Sequence, residues 1–175
     1  MPSSVSIKRS ETSKCRESLK KYCSGDGLDI GFGGDPIVSH AICVDLLKPY
    51  ARYLDYPQHL HGDAKNLYWF KDCCLNFVYS SHLLEDFEDT GAVLDEWTRV
   101  LKVGGVLVLF LPDEKAYREH CRRQGKPPNI HHIHEDFSLE FIKCILKSRS
   151  NLEIIHEKFP TEIYNFELVI RKISP

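Results

Sequence analysis

Glycines 31, 33 and 34 stand in the run Leu28-Asp29-Ile30-Gly31-Phe32-Gly33-Gly34-Asp35-Pro36, just after an apolar stretch. Glycine lets a backbone turn sharply and approach a ligand closely. Two acids follow at comparable places. Asp45 ends Ile42-Cys43-Val44-Asp45, and Asp63 sits in Gly62-Asp63-Ala64. A carboxylate at the end of a second strand can accept hydrogen bonds from both hydroxyls of a ribose. One after a third strand can accept from an adenine amino group. Each acid alone is an ordinary cap or turn residue. In order, at successive strand ends, they suit an adenosine-bearing ligand. A dinucleotide site would want a full glycine fingerprint opening a long helix, with an acid about 20 residues on. Here Asp45 follows Gly31 by 14 positions and Pro36 interrupts early. That leaves room for only a short helix or turn and disfavours a nicotinamide cofactor.

Proton chemistry has its own candidates. His82, Glu85 and Asp86 follow a nearly continuous apolar run, Cys73 to Tyr79, and His131, His132 and His134 lie in Asn129-Ile130-His131-His132-Ile133-His134. A histidine or carboxylate in a cleft can act as a general base. The plainer alternatives are that His82 fixes the local backbone and that Glu85 and Asp86 cap a turn. The histidine cluster reads as a polar loop over an acceptor cleft or as a simple surface loop. Zinc held there with His120 or Cys121 is disfavoured, because the spacing fits no standard zinc pattern. No metal is therefore expected. Tyr117 and Arg118 follow the fifth strand and can line the acceptor side.

These residues need elements to place them. Strands are expected at Leu28–Gly31, Ala41–Leu46, Gln58–Gly62, Cys73–Tyr79 and Val106–Leu111, the last ended by Pro112. Val93, Leu94, Trp97, Val100 and Leu101 fall on one helical face, with Gly104-Gly105 as its stop and Lys102 placed for its dipole. A polar helix is expected from about Ser10 to Cys23. A loop with Pro127-Pro128 leads to a helix capped by Ser138, with Phe137 and Ile142 as a hydrophobic staple. Leu152–Phe159 and Asn165–Lys172 are late strands. Strands alternating with helices argue for a parallel sheet covered on both faces, with ligands at the carboxyl ends of its strands.

The chain resembles the class I S-adenosylmethionine-dependent methyltransferases, in particular a bacterial subgroup with a shortened first crossover. The resemblance rests on Gly27–Gly33, Val44-Asp45-Leu46, Gly62-Asp63-Ala64, Phe77–Glu85 and Glu96–Gly105. It implies a doubly wound, Rossmann-like seven-stranded α/β sheet with the last strand antiparallel. It also implies S-adenosylmethionine as cofactor, with Gly31 and Gly33 facing the methionine part and Asp45 the ribose. Asp63 and Ala64 would lie against adenine and Ser80 near the sulfonium, with Asp29 and Leu46 also on the cofactor side. The family usually has Asp where this chain has Asn76, and often His where it has Asp86. Phe32 stands where a small residue or Cys is common. Methyl transfer has an excellent leaving group, so the protein mainly supplies proximity and alignment.

Composition bounds the rest. The length, 175 residues, suits one domain over residues 1–175, with 1–24 as a helical segment packed on the core. A formal charge of −2 shows none of the basic excess of a general nucleic-acid binder, so no nucleic-acid partner is expected. The Arg122-Arg123 pair is too short to change that. The expected acceptor is a small molecule or saccharide-like. Met1-Pro2-Ser3-Ser4 opens no signal peptide. No apolar run spans a bilayer, and seven cysteines without paired spacing suggest a reducing, cytoplasmic setting. The rival reading is a non-catalytic scaffold or binding module of the same fold.

Overall fold

The structure, a computed structural model, describes residues 9–175; Met1-Pro2-Ser3-Ser4 and the four residues after them lie outside the described residues. Among the described residues there are seven strands: β1 (Gly27–Ile30), β2 (Ile42–Asp45), β3 (Leu60–His61), β4 (Leu75–Ser81), β5 (Leu101–Pro112), β6 (Leu152–Thr161) and β7 (Asn165–Lys172). They form one sheet in the order β3-β2-β1-β4-β5-β7-β6. The first five pair in parallel, and β7 is antiparallel to both of its neighbours. Among the same residues are four α-helices: α1 (Glu11–Leu19), α2 (Thr90–Arg99), α3 (Glu114–Arg123) and α4 (Leu139–Leu146).

The central strands are mostly apolar because both faces are covered. Alternate residues divide between two cores. Val78, Leu107, Leu109, Phe166, Leu168 and Ile170 pack with Val93, Leu94 and Trp97 of α2 and Ile142 of α4. Phe77, Tyr79, Val108, Phe110 and Val169 pack on the other side with Cys15 and Leu19 of α1. Ser138 caps α4 by accepting from Phe141 N at 3.1 Å, and both staple residues, Phe137 and Ile142, are fully buried.

Several boundaries differ from expectation. Helix α2 ends at Arg99, and Gly104-Gly105 lie inside β5. Leu75 pairs with Leu101 but Phe77 with Val106, so the intervening residues of β5 loop out around Gly104, whose φ is 85°. The glycines serve this bulge, and they do not stop the helix. Lys102 therefore does not reach the end of α2. Its Nζ donates to Asn76 Oδ1 at 3.1 Å. The buried Lys172 serves α2 instead, donating to the carbonyls of Thr98 at 3.1 Å and Arg99 at 3.4 Å. Helix α3 was not expected at all. Asp113 caps it by accepting from Ala116 N at 2.9 Å, but little of it is apolar, so no hydrophobic face announces it. Strand β3 is shorter than the Gln58–Gly62 run suggested. Between β1 and β2 there is no helix, as the early Pro36 implied.

Candidate active site

A cleft opens at the carboxyl ends of β1, β2 and β4, where a parallel sheet presents its loops. Gly31 and Gly33 turn the chain after β1 with φ of 69° and 56°, the left-handed region that favours glycine. A Cβ on Gly31 would stand 2.7 Å from Leu83 Cδ2, so a side chain there would displace Leu83 from the cleft wall. Two hollows meet at this turn. One, of about 240 Å³, is walled by Asp45, Leu46, Asp63, Ala64 and Leu83 among others. The other, of about 110 Å³, is walled by Glu11, Gly31, Gly33, Tyr53, Ser81 and His82 among others. Gly31, Asp45, Tyr50, Leu83 and Asp86 border both.

Asp45 stands between the hollows. Its Oδ2 accepts from Gly33 N at 3.2 Å and its Oδ1 from Leu46 N at 2.8 Å, so the second strand's acid pins the glycine turn. Burial pushes its carboxyl above the ordinary range, against the pull of these two amides. Asp63 is more open, with Oδ1 accepting from Lys65 N at 2.9 Å. The Ala64 carbonyl accepts from Trp97 Nε1 at 2.8 Å, which ties the wall of the larger hollow to the buried core.

Two residues expected on the cofactor side lie behind the walls. Ser80 is fully buried and donates to Ile30 O at 3.0 Å, and its neighbour Ser81 is the one that borders the cleft. Strand alternation turns the two to opposite faces. Asp29 is also fully buried. Its Oδ2 accepts from Ile37 N at 2.6 Å, closing the loop after Gly34, and its Oδ1 has no hydrogen-bond partner.

Burial pushes the Asp29 carboxyl up to about 8 from an ordinary 3.8. The folded value lies above the unfolded one, so the folded state holds the proton more tightly. That contribution is fully present below about pH 4 and is lost as pH rises through about 8. Stability is therefore expected to fall across this window. Asp29→Asn keeps an acceptor for Ile37 N and should flatten the fall. Urea melts of parent and variant at about pH 5 and about pH 8 measure the difference. An equal fall in both would remove Asp29 as its source.

The proton-transfer candidates separate. His82 leaves β4 with φ 50°, an uncommon backbone for a residue with a side chain. Its Nε2 lies 3.0 Å from Asn165 Oδ1 and 3.3 Å from Glu11 Oε2, and burial pushes its pKa down to about 4. Glu11 lies above it. Burial alone would raise the Glu11 carboxyl, but His82 and Lys14 outweigh that and hold it below its ordinary value. Glu85 is fully buried, and burial pushes its carboxyl well up. Asp86 borders both hollows, raised by burial.

The three histidines of the loop do not act together. His131 stacks on Tyr50 with ring centroids 4.2 Å apart. His132 turns inward, its Nδ1 2.8 Å from Glu114 Oε2. His134 lies 2.7 Å from the Phe87 carbonyl. Tyr117 accepts from Asn129 N at 3.0 Å, and Arg118 lies 2.8 Å from Glu114. Asn76 lies at the far end of β4, where its Oδ1 accepts from Lys102 and from Asp26 N, so that departure from the family pattern does not touch the cleft.

Sequence reasoning missed Glu11, Tyr50, Tyr53 and Glu114. Glu11 reaches the cleft because Ser10 and Arg16 both bind Asp35 of the glycine turn. Tyr50 and Tyr53 lie on the segment after β2, where Tyr53 N donates to Gly33 O at 2.7 Å. Glu114 was open to the rule that pointed to Tyr117 and Arg118, since it follows β5 directly.

A family described as "Methyltransferase domain" matches residues 28–109. A sequence search among curated proteins finds no match. Among solved structures, a Pyrococcus horikoshii protein is 18% identical with a TM-score of 0.70, over 98% of this chain and 96% of its own. An S-adenosylmethionine-dependent methyltransferase from Archaeoglobus fulgidus is 16% identical with a TM-score of 0.70, over 92% of each chain. One from Thermotoga maritima, described as a possible histamine N-methyltransferase, is 17% identical with a TM-score of 0.64, over 93% and 91%. The sheet order matches the fold of these methyltransferase structures, and the family match covers a little under half of the chain.

The solved structures of this fold include S-adenosylmethionine-dependent methyltransferases, and the residues here fit that cofactor. The larger hollow offers the Asp45 carboxylate beside an apolar wall, as an adenosine needs. The smaller continues past Gly31 and Gly33 to Glu11, an acid placed to receive an ammonium group.

Proposed function

We propose that this chain transfers a methyl group from S-adenosylmethionine to a small-molecule or saccharide-like acceptor. The observation that carries the proposal is the pair of hollows meeting at Gly31 and Asp45. In this reading Asp45 and Leu46 hold the ribose, and Asp63 and Ala64 border the adenine. Gly31, Gly33 and Glu11 hold the methionine part. Asp29 acts from behind, by shaping the turn. The cofactor supplies a methyl group on a good leaving group, and the chain supplies alignment and exclusion of water.

Three features favour a small acceptor. The stacked Tyr50 and His131 narrow the cleft's rim. Arg122 and Arg123 both pair with Glu119, which leaves no basic patch for phosphates there. The Thermotoga relative is itself described in terms of a small amine. No helix among the described residues is long and apolar enough to cross a membrane. All seven cysteines are free, in keeping with a reducing, cytoplasmic setting.

Binding to the native state alone must raise the melting temperature. S-adenosylhomocysteine should therefore shift it at millimolar concentration at least as much as S-adenosylmethionine does, and NAD should not. No shift with either methionine compound would favour a scaffold of the same fold. A labelled-methyl screen over small molecules, saccharides and protein extracts then identifies the acceptor. Tight, salt-sensitive binding to RNA or DNA would overturn the small-acceptor reading.

A further inference from the structure

Beside the cleft, the buried Glu85 and His132 converge with the half-buried His82, with nothing to join them. Glu85 is fully buried, and neither of its carboxylate oxygens has a hydrogen-bond partner. Two imidazoles face the same oxygen. His82 Nδ1 stands 3.6 Å from Glu85 Oε1, and His132 Nε2 stands 3.5 Å from it. The three ligand atoms lie within 4.8 Å of one another.

The outer partners settle where the imidazole hydrogens sit. His82 Nε2 faces the Glu11 carboxylate at 3.3 Å, an acceptor, so Nε2 carries the hydrogen. His132 Nδ1 faces the Glu114 carboxylate at 2.8 Å, so Nδ1 carries it there. The inward nitrogens, Nδ1 of His82 and Nε2 of His132, are then bare. Two lone pairs and an unpartnered carboxylate point at one small volume. Buried acceptors without a donor are costly, and a cation relieves all three at once.

We propose that His82, Glu85 and His132 bind a divalent transition-metal ion of the zinc type. Two imidazoles and one carboxylate with an open position are a known ligand set for such ions. Bonds of about 2.0–2.1 Å at tetrahedral angles place ligand atoms roughly 3.3 Å apart, close to the two separations from Glu85 Oε1. A carboxylate behind a metal-binding histidine fixes its tautomer and orientation, which makes Glu114 and Glu11 positioning residues. His82 also borders the smaller hollow, so the proposed ion would sit just behind the wall of the cleft. The isolated cluster His131, His132 and His134 is not the site. Its members diverge, and the partners of His132 come from the turn after β4.

The test uses the whole chain, stripped with a chelator and titrated with Zn²⁺ by calorimetry, with metal content measured after gel filtration. The expected result is one retained zinc ion per chain. Glu85→Gln and His132→Asn should each lower zinc affinity more than tenfold. Glu114→Gln should lower it by about 10–100-fold, as expected for a residue behind the ligand. Circular dichroism confirms folding. Binding of S-adenosylhomocysteine by the same samples separates failure of this site from failure of the methyltransferase reading. Cys73 and Cys144 are exposed, so Cys73→Ser and Cys144→Ser should leave binding unchanged. Co²⁺ loading should give a d–d spectrum without a thiolate charge-transfer band. The proposal is overturned if the parent retains no zinc, if a folded Glu85→Gln or His132→Asn variant retains it equally, or if the cobalt spectrum shows thiolate ligation.

Discussion

Replacing Asp45 with alanine should weaken binding of S-adenosylhomocysteine at least about tenfold and leave the chain folded. The Asp45 carboxylate already accepts from Gly33 N and Leu46 N, and each oxygen keeps a lone pair for the larger hollow. Hydrogen bonds to a charged acceptor contribute about 1.5–3 kcal/mol each in net terms, and about 1.4 kcal/mol is a factor of ten. The variant loses these bonds and also frees the glycine turn. Its core is untouched, because Asp45 sits at a strand end beside the cleft. Asp95→Ala is the control, an exposed acid of α2 paired with Arg149 at 2.6 Å. It should bind as the parent does. Calorimetric titration of both variants, with circular dichroism, decides the matter. Parent-like affinity in a folded Asp45→Ala variant would put the ribose elsewhere.

The largest effect on stability should come from Trp97. Its side chain is fully buried, meets Phe87 edge-on, and donates through Nε1 to the Ala64 carbonyl. Trp97→Ala should cost about 3–5 kcal/mol through lost contacts and the cavity left behind. For a chain of this size that is roughly 6–20 °C in melting temperature. Trp97→Phe separates packing from the hydrogen bond. It keeps much of the volume but leaves the Ala64 carbonyl unpaired, at about 1–3 kcal/mol. Since Ala64 walls the larger hollow, this variant should lose cofactor affinity while remaining folded at 25 °C. A folded Trp97→Phe chain with unchanged affinity would show that the core does not hold that wall in place.

Much of this architecture was legible because it rests on short-range rules. The apolar runs of β1, β4 and β5, the apolar stripe of α2 and the Ser138 cap each follow from period or local chemistry. The placement of Asp45 and the glycine turn at neighbouring strand ends was legible for the same reason. What escaped depends on distant partners. Helix α3 buries little beyond Glu114 and Cys121, so it has no apolar stripe to read, although the Asp113 cap was there to be seen. Ser80 and Ser81 were separable only by the register of β4 against its neighbours, because one step along a strand reverses the face. The meeting of His82 and Glu85 with His132 joins two loops about 50 residues apart in the sequence, and spacing alone cannot report it.

The helix-free first crossover has a consequence for competition inside a cell. Nucleotide sites on related sheets hold phosphates with the free amides and positive pole of a helix N-terminus. Here the chain from Gly31 to Ala41 forms turns only. The walls present Glu11, Asp45, Asp63 and Asp86, with Lys65 turned toward Asp63 at 3.6 Å and Lys14 toward Glu11 at 2.7 Å, so the acids outnumber the lysines beside them. ATP, ADP and NAD share the adenosine part of S-adenosylmethionine, but each would carry a polyanionic tail into this negative field. The sulfonium compound carries a cation in the same position. Under the proposed placement of the cofactor, discrimination among abundant adenosine metabolites would arise from repulsion of the wrong tails, more than from any contact reserved for the right one.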